Sequence, residues 1–342
     1  MSQSLSAPRP TAGLAHPPRI GFLGLGWIGR HRMEAMLGTG AIEAAAIADP
    51  SPDSLQAAAA LAPGAVRADG LEALLQEGLD GVVIATPSAQ HAEQSIRALE
   101  RGLAVFCQKP LGRSEAEARA VVEAARTADR LLGVDLSYRF TEGMGRIRDL
   151  VRGGELGRLF AADLAFHNAY GPDKAWFFDP RLSGGGCVMD LGVHLVDLAL
   201  WVLDFPKVAK VTSSLFAGGE RLDGRRDRVE DYATATLELS DGCLVTLACS
   251  WRLHAGCDAE ISAAFHGVAG GAAMRNVDGS FYDFVTERFR GRERETLAGP
   301  PEAWGGRAAA DWARRLAQSP AFDPAAERLC DVAGVLDRIY GA

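Results

Sequence analysis

Two short stretches of this 342-residue sequence carry side chains that could do acid–base work. The first is Gln108-Lys109-Pro110, directly after the apolar run Leu103–Cys107. A lysine ammonium there can donate to a substrate oxygen, and Pro110 restricts the backbone of Lys109. An ordinary loop lysine would read the same way. The second is Gly184-Gly185-Gly186, which leads to Asp190, His194 and Asp197. Asp190 and His194 are four apart, so a helix puts them on one face. Histidine exchanges a hydroxyl proton near neutral pH. Asp190 could orient its ring or bind a substrate hydroxyl, or the pair could simply satisfy a buried helix. The glycines would let another backbone or a ligand approach closely.

Only four of the 36 basic residues are lysines, namely 109, 174, 207 and 210. Arg is permanently charged and forked, whereas Lys is a compact charge that can lose its proton when desolvated. A GC-rich coding sequence accounts for the count itself, but a lysine at position 109, at the end of an expected strand, is read as serving chemistry that needs lysine.

A third stretch reads as a dinucleotide site. Gly24-Leu25-Gly26-Trp27-Ile28-Gly29 follows an apolar run and opens a helical pattern. Asp49 comes twenty residues after Gly29, at the end of the next run. Gly24 would permit the tight turn, Gly26 the approach of a pyrophosphate, and Gly29 close helix–strand packing. The helix N-terminus offers free N–H groups to phosphate. Asp49 would hold the ribose hydroxyls and repel a 2′-phosphate, so NAD is expected over NADP. Arg30 and Arg32 could still reach a 2′-phosphate, which keeps NADP possible. Thr86, Pro87 and His91 follow a further apolar run and would flank the cofactor, although His91 could equally be a helix-surface residue.

The elements that must position these groups follow from periodicity. Apolar runs at Ile20–Leu23, Ala44–Ala48, Gly81–Ala85, Leu103–Cys107 and Leu131–Leu136 suit strands buried on both faces. Helical segments such as His91–Arg101 and Ser114–Ala128 lie between them, with Ser114 and Glu117 spaced as a capping box. This alternation predicts a doubly wound α/β unit. Beyond Arg139 helices are expected at Met144–Arg152 and Asp190–Leu203. A hairpin is expected where Asp241-Gly242 joins Tyr232–Leu239 to Cys243–Trp251, with antiparallel strands to about Leu297. Helices at Ala308–Leu316 and Ala325–Tyr340 close the chain. The expected division is a disordered tail over 1–18, a dinucleotide-binding unit over 19–139, and a substrate and oligomerisation unit over 140–342. The last helix could fold back on the first unit. His167, Asn168 and Tyr170, with Trp176, Phe177 and Asp179, could line a sugar-sized pocket or form an irregular surface loop.

Composition narrows the partners. The net charge of −8 disfavours nucleic acid, which needs Lys and Arg to neutralise phosphate. Six cysteines without a CxxC pair suit a reducing cytoplasm. No apolar run was expected to reach the about 18 residues of a membrane span, and the N-terminus lacks the apolar core of a secretory signal. The scattered histidines give no metal site.

Together the stretches resemble the Gfo/Idh/MocA family, the relatives of glucose–fructose oxidoreductase and inositol dehydrogenase. The residues that carry the resemblance are Ile20 to Gly29, Ala85-Thr86-Pro87-Ser88 with His91, Gln108-Lys109-Pro110-Leu111, Tyr138-Arg139-Phe140, and Gly184 to Gly186 through Asp190, Gly192, His194 and Asp197. They occur in the family's order. The resemblance implies an N-terminal Rossmann domain and a C-terminal open, mostly antiparallel β-sheet (α/β plus α+β), whose outer face commonly makes homodimers or homotetramers. It implies Lys109, Asp190 and His194 as catalytic and substrate-binding residues. His194 would be the acid/base, Lys109 would polarise the reacting oxygen, and Asp190 would support both. The expected activity is NAD(P)-dependent redox at a secondary alcohol or ketone of a sugar, cyclitol or related polyol. A glycosidase using NAD transiently, and a non-catalytic NAD-binding sensor, are the alternatives. One departure stands out. Gln108 replaces the family's usual glutamate, so it can accept from a ribose hydroxyl but cannot supply a counter-charge to Lys109.

Overall fold

The computed structural model describes residues 16–224 and 227–341. Most of the expected tail, residues 1–15, lies outside the described residues.

The first half builds a six-stranded, all-parallel sheet. Its strands are β1 (Arg19–Leu23), β2 (Glu43–Ala48), β3 (Val66–Arg67), β4 (Gly81–Ile84), β5 (Ala104–Cys107) and β6 (Leu132–Val134), in the order β3-β2-β1-β4-β5-β6. Every residue of β4 and β5 is buried, as continuous apolar runs require of a sheet covered on both faces. The helices between are α1 (Trp27–Leu37), α2 (Pro52–Leu61), α3 (Leu71–Leu74), α4 (Ser88–Glu100) and α5 (Glu115–Ala128). Ser114 caps α5 by accepting from the Glu117 N–H at 3.3 Å. Glu117 reaches back one residue further than a capping box predicts, and accepts from the Arg113 N–H at 2.7 Å. Strand order reverses between β1 and β4, so a crevice opens at their carboxyl ends.

The second half forms a nine-stranded sheet in the order β15-β14-β13-β12-β7-β11-β10-β8-β9. Its strands are β7 (Leu159–Asn168), β8 (Val208–Ala217), β9 (Glu220–Arg221), β10 (Tyr232–Leu239), β11 (Leu244–Ser250), β12 (Ala259–Gly267), β13 (Gly271–Asn276), β14 (Phe284–Arg290) and β15 (Glu293–Ala298). All neighbours pair antiparallel except β7 with β11. The Asp241-Gly242 turn joins β10 to β11, with Gly242 at φ 86°. On β7 the pleat buries Ala162, Leu164 and Phe166 on the face that shares a core with the helices.

Against that core lie α6 (Glu142–Arg152) and α8 (Val193–Val202), while the short α7 (Pro180–Ser183) lies beside α4. The stretch Pro180–Val202 is long and apolar enough to cross a membrane, contrary to expectation, but 89% of its most apolar window is buried as a core helix. The chain then returns to the first sheet. Trp312, on α9 (Arg307–Gln318), fills space left by Gly81 and Gly133, where an added Cβ would meet its ring at 3.0 and 2.6 Å. The last helix, α10 (Arg328–Ile339), packs against both α5 and α8.

Candidate active site

The Gly-rich turn has the geometry that a dinucleotide needs. Gly24 adopts φ 85°, and a Cβ on it would meet the Ala85 carbonyl at 2.6 Å. A Cβ on Gly29 would lie 2.1 Å from the Gly24 oxygen, so helix and turn touch. Gly26 faces open space, with nothing within 4 Å of its Cβ position. The turn is therefore packed where protein must approach and empty where a pyrophosphate would lie, at the N-terminus of α1. Trp27 is exposed and stacks on His31 at 5.7 Å, while Ile28 is half-buried. The Asp49 carboxylate accepts from the Leu25 N–H at 2.5 Å and from the Ser51 N–H at 2.7 Å, which fixes it beside the turn. Thr86 and Pro87 sit at the carboxyl end of β4, half-buried, with the Thr86 hydroxyl donating to Gln94 at 2.6 Å.

Two expectations at this end are corrected. His91 is not a surface residue. It is fully buried, with ring nitrogens 2.7 Å from the Pro110 and Thr86 carbonyl oxygens. It braces two loops, and burial lowers its proton affinity against the pull of those carbonyls. Arg32 is also buried. Its Nε donates to Asp135 at 2.5 Å, so it is not available to a 2′-phosphate.

The candidate reacting centre gathers around Lys109, whose peptide bond to Pro110 is cis. Lys109 Nζ donates to the Asp190 carbonyl and to Asp190 Oδ1, each at 2.7 Å. The counter-charge that Gln108 lacks thus comes from Asp190. Trp251, following β11, donates its Nε1–H to Asp190 Oδ2 at 3.0 Å. Asp190 does not sit in a regular α-helix. Residues Val188–Gly192 form a π-helical turn leading into α8, a feature that recurs at functional sites. The turn is held from behind by Glu230, whose carboxylate accepts from the Gly186 N–H at 2.9 Å, the Val188 N–H at 2.9 Å and the Tyr340 hydroxyl at 2.8 Å. Burial pushes the Glu230 carboxyl up, and those donors oppose the shift. The three glycines admit protein, not ligand. A Cβ on Gly185 would overlap the Tyr340 hydroxyl, and one on Gly186 the Glu230 carbonyl oxygen, each at 1.9 Å.

His194 lies on the first turn of α8, buried, with its ring 5.0 Å from Tyr138 and 6.4 Å from Phe166. Neither ring nitrogen has a hydrogen-bond partner among the described residues, and Nδ1 is sealed from solvent. Asp190 therefore does not orient it. Burial holds the imidazole well below its ordinary value, reinforced by the charges of Lys109 and Arg32. The ring is neutral at pH 7 and able to accept a proton. Asp197 is sealed beneath it by Arg139, whose Nε donates to Asp197 Oδ2 at 2.8 Å.

The proposed substrate contacts separate. The pleat that turns Phe166 toward His194 turns His167 to the opposite face of the sheet, which corrects its expected place in the pocket. There His167 lies 2.8 Å from the Ser250 hydroxyl and stacks on Tyr232. Asn168 shares the face of Phe166, and its Oδ1 is buried without a partner among the described residues. Tyr170 is exposed and donates its hydroxyl to Asp258. Trp176 stacks on Phe177 at 3.8 Å, and Phe177 and Phe178 both meet Trp251 edge-on. Tyr138 was marked only by the resemblance, and Trp251 and Glu230 were not expected at the site. Nothing in the local sequence of those two marks them, since a fold contact far along the chain brings each one in.

A Gly-turn crevice above a parallel sheet, with lysine, carboxylate and neutral histidine at its mouth, defines a dinucleotide-dependent oxidoreductase. Comparison with known proteins names the family. Residues 18–136 match the model of the oxidoreductase family with an NAD-binding Rossmann fold, and residues 144–273 match the GFO/IDH/MocA C-terminal domain. The rhizopine catabolism protein MocA of Rhizobium meliloti is 30% identical over 66% of this chain and 68% of its own length. Inositol 2-dehydrogenase 4 of Saccharopolyspora erythraea is 27% identical over 92% and 85%. D-Glucoside 3-dehydrogenase of Escherichia coli K12 is 29% identical over 57% of this chain and 58% of that enzyme. The fold matches a levoglucosan dehydrogenase solved with NADH and levoglucosan, at TM-score 0.80 and 19% identity over 95% of this chain and 96% of that one. The chain belongs to the Gfo/Idh/MocA family and is an NAD(P)-dependent oxidoreductase.

Proposed function

We propose that this enzyme interconverts a secondary alcohol and ketone on a sugar, cyclitol or related polyol, with Lys109, Asp190 and His194 at the reacting carbon. The observation that carries this reading is the Lys109–Asp190 pair at the carboxyl end of β5. An ammonium has three N–H donors. Asp190 takes two of them, which leaves one for a substrate oxygen. Trp251 holds the carboxylate that holds the lysine. In oxidation His194, neutral, accepts the hydroxyl proton while Lys109 steadies the developing negative charge. In reduction the proton returns from His194. Bound at the Gly24–Gly29 turn, the nicotinamide coenzyme supplies the hydride acceptor or donor. Gly26, Asp49, Gln108 and the start of α1 would hold it. The Asp49 carboxylate and the engagement of Arg32 favour NAD over NADP.

The reading places the coenzyme on residues 19–139 and the substrate on residues 140–342. It also places the enzyme in the cytoplasm, as a homodimer or homotetramer formed through the outer face of the large sheet. The relatives are named dehydrogenases and catabolic proteins, which does not favour transient redox in a glycosidase or a sensor role. A panel of sugars and cyclitols with NAD and NADP tests the proposal by absorbance of the reduced coenzyme. At least one polyol should give net reduced coenzyme. Coenzyme binding without net reduction across the panel would contradict it.

A further inference from the structure

Gln108 closes β5 and is buried, with its backbone N–H donating to the Ile84 carbonyl at 2.8 Å. Its side-chain Nε2 donates to Oδ2 of Asp135, the residue after β6. Arg32, on the first turns of α1, donates its Nε to the same oxygen at 2.5 Å and its Nη2 to the Ser137 hydroxyl at 3.2 Å. The Ser137 hydroxyl donates to Asp135 Oδ1 at 2.8 Å. Asp135 is 1% exposed. The cluster thus joins the phosphate-turn helix, the Lys109 loop and the end of β6.

A carboxylate faces only the N–H side of an amide, so Asp135 dictates which way Gln108 points. The Gln108 Oε1 has no partner among the described residues and is not among the atoms sealed in the interior. It is the group that Gln108 presents at the carboxyl ends of the strands. A glutamate at 108 would set two carboxylates at hydrogen-bond distance, where both cannot stay ionised cheaply. Gln108 and Asp135 are therefore one choice made at two positions, with Arg32 neutralising the buried charge.

We propose that Asp135 and Arg32 are positioning residues for the coenzyme: they fix the Gln108 amide so that its oxygen accepts from a ribose hydroxyl on the nicotinamide side. This rests on the strand ends being the dinucleotide site. A packing role alone would alter stability and leave coenzyme affinity untouched, so the two readouts separate the cases.

The test separates the two roles. NAD affinity is measured by calorimetry without substrate, alongside thermal melting, for the parent, Gln108→Glu, Asp135→Asn and Gln108→Leu. Gln108→Glu and Asp135→Asn should each weaken NAD by about tenfold, the cost of one badly met buried polar contact. Gln108→Leu keeps the Arg32–Asp135 pair and lacks the acceptor, so it should fold and still bind NAD about tenfold more weakly. Variants that melt lower yet bind NAD like the parent would overturn the proposal. A parent that bound neither NAD nor NADP would instead bring down the dinucleotide reading beneath it.

Discussion

In the proposed chemistry Lys109 and His194 divide the labour at the scale of single residues. The first offers a donor that Asp190 and Trp251 aim, and the second offers an acceptor kept uncharged by burial. That division fixes a pH dependence. A lowered pKa means that His194 stays neutral as pH falls through its ordinary value of about 6.5, and it stops accepting protons only below its own shifted value. Alcohol oxidation, followed as kcat/KM, should therefore show no loss attributable to His194 near pH 6.5. NMR titration of its ring should give a midpoint well below 6.5, and a midpoint at or above that value would contradict the assignment. In the proposed reading Asp49 selects the coenzyme. Asp49→Ser removes the charge that repels a 2′-phosphate, and should lower the NAD-to-NADP ratio of kcat/KM by about tenfold or more. An unchanged ratio would show that selection lies elsewhere. Lys109, Asp190 and His194 could be proposed from the sequence because motif and spacing are local. Trp251 was not, because only the register of β11 brings its indole to Asp190, and His167 was misplaced because its strand's facing was unknown.

Elements carry the next level of explanation. The sequence predicted one helix from Asp190 to Leu203, and the chain instead inserts a π turn over Val188–Gly192 before α8. No residue pattern marks that change, since it depends on Glu230 drawing in the amides of Gly186 and Val188 from 44 and 42 residues away. The same dependence makes the glycines testable. Gly186→Ala would drive a Cβ into the Glu230 carbonyl oxygen, and should cost about 3 kcal/mol or more of stability. Denaturant melts read this directly, and a loss under about 0.5 kcal/mol would show that the turn yields. The parallel strands were legible because a strand covered on both faces must be apolar throughout. Strand ends were less so: the expected Leu131–Leu136 shrinks to β6, whose successor Asp135 turns to Arg32.

At the scale of the molecule, two sheets share the last two helices, with α9 under the first and α10 between α5 and α8. The large sheet keeps one face for the core. On the other stand small residues such as Ala165, with Ala248 and Ser262 paired beside it on the neighbouring strands. If that face joins subunits, Ala165→Arg should reduce the mass in solution to one chain while NAD affinity stays within about threefold. Light scattering that found the parent already a single chain would refute the oligomer reading. The decisive measurement concerns Lys109, because the proposed chemistry needs a compact ammonium and not merely a positive charge. Turnover and NAD affinity of Lys109→Arg should be compared with those of the parent on whichever polyol the parent oxidises. The account predicts NAD affinity within about threefold and turnover down by about a hundredfold or more. Turnover within about threefold of the parent would show that the lysine supplies charge alone, and would contradict the account.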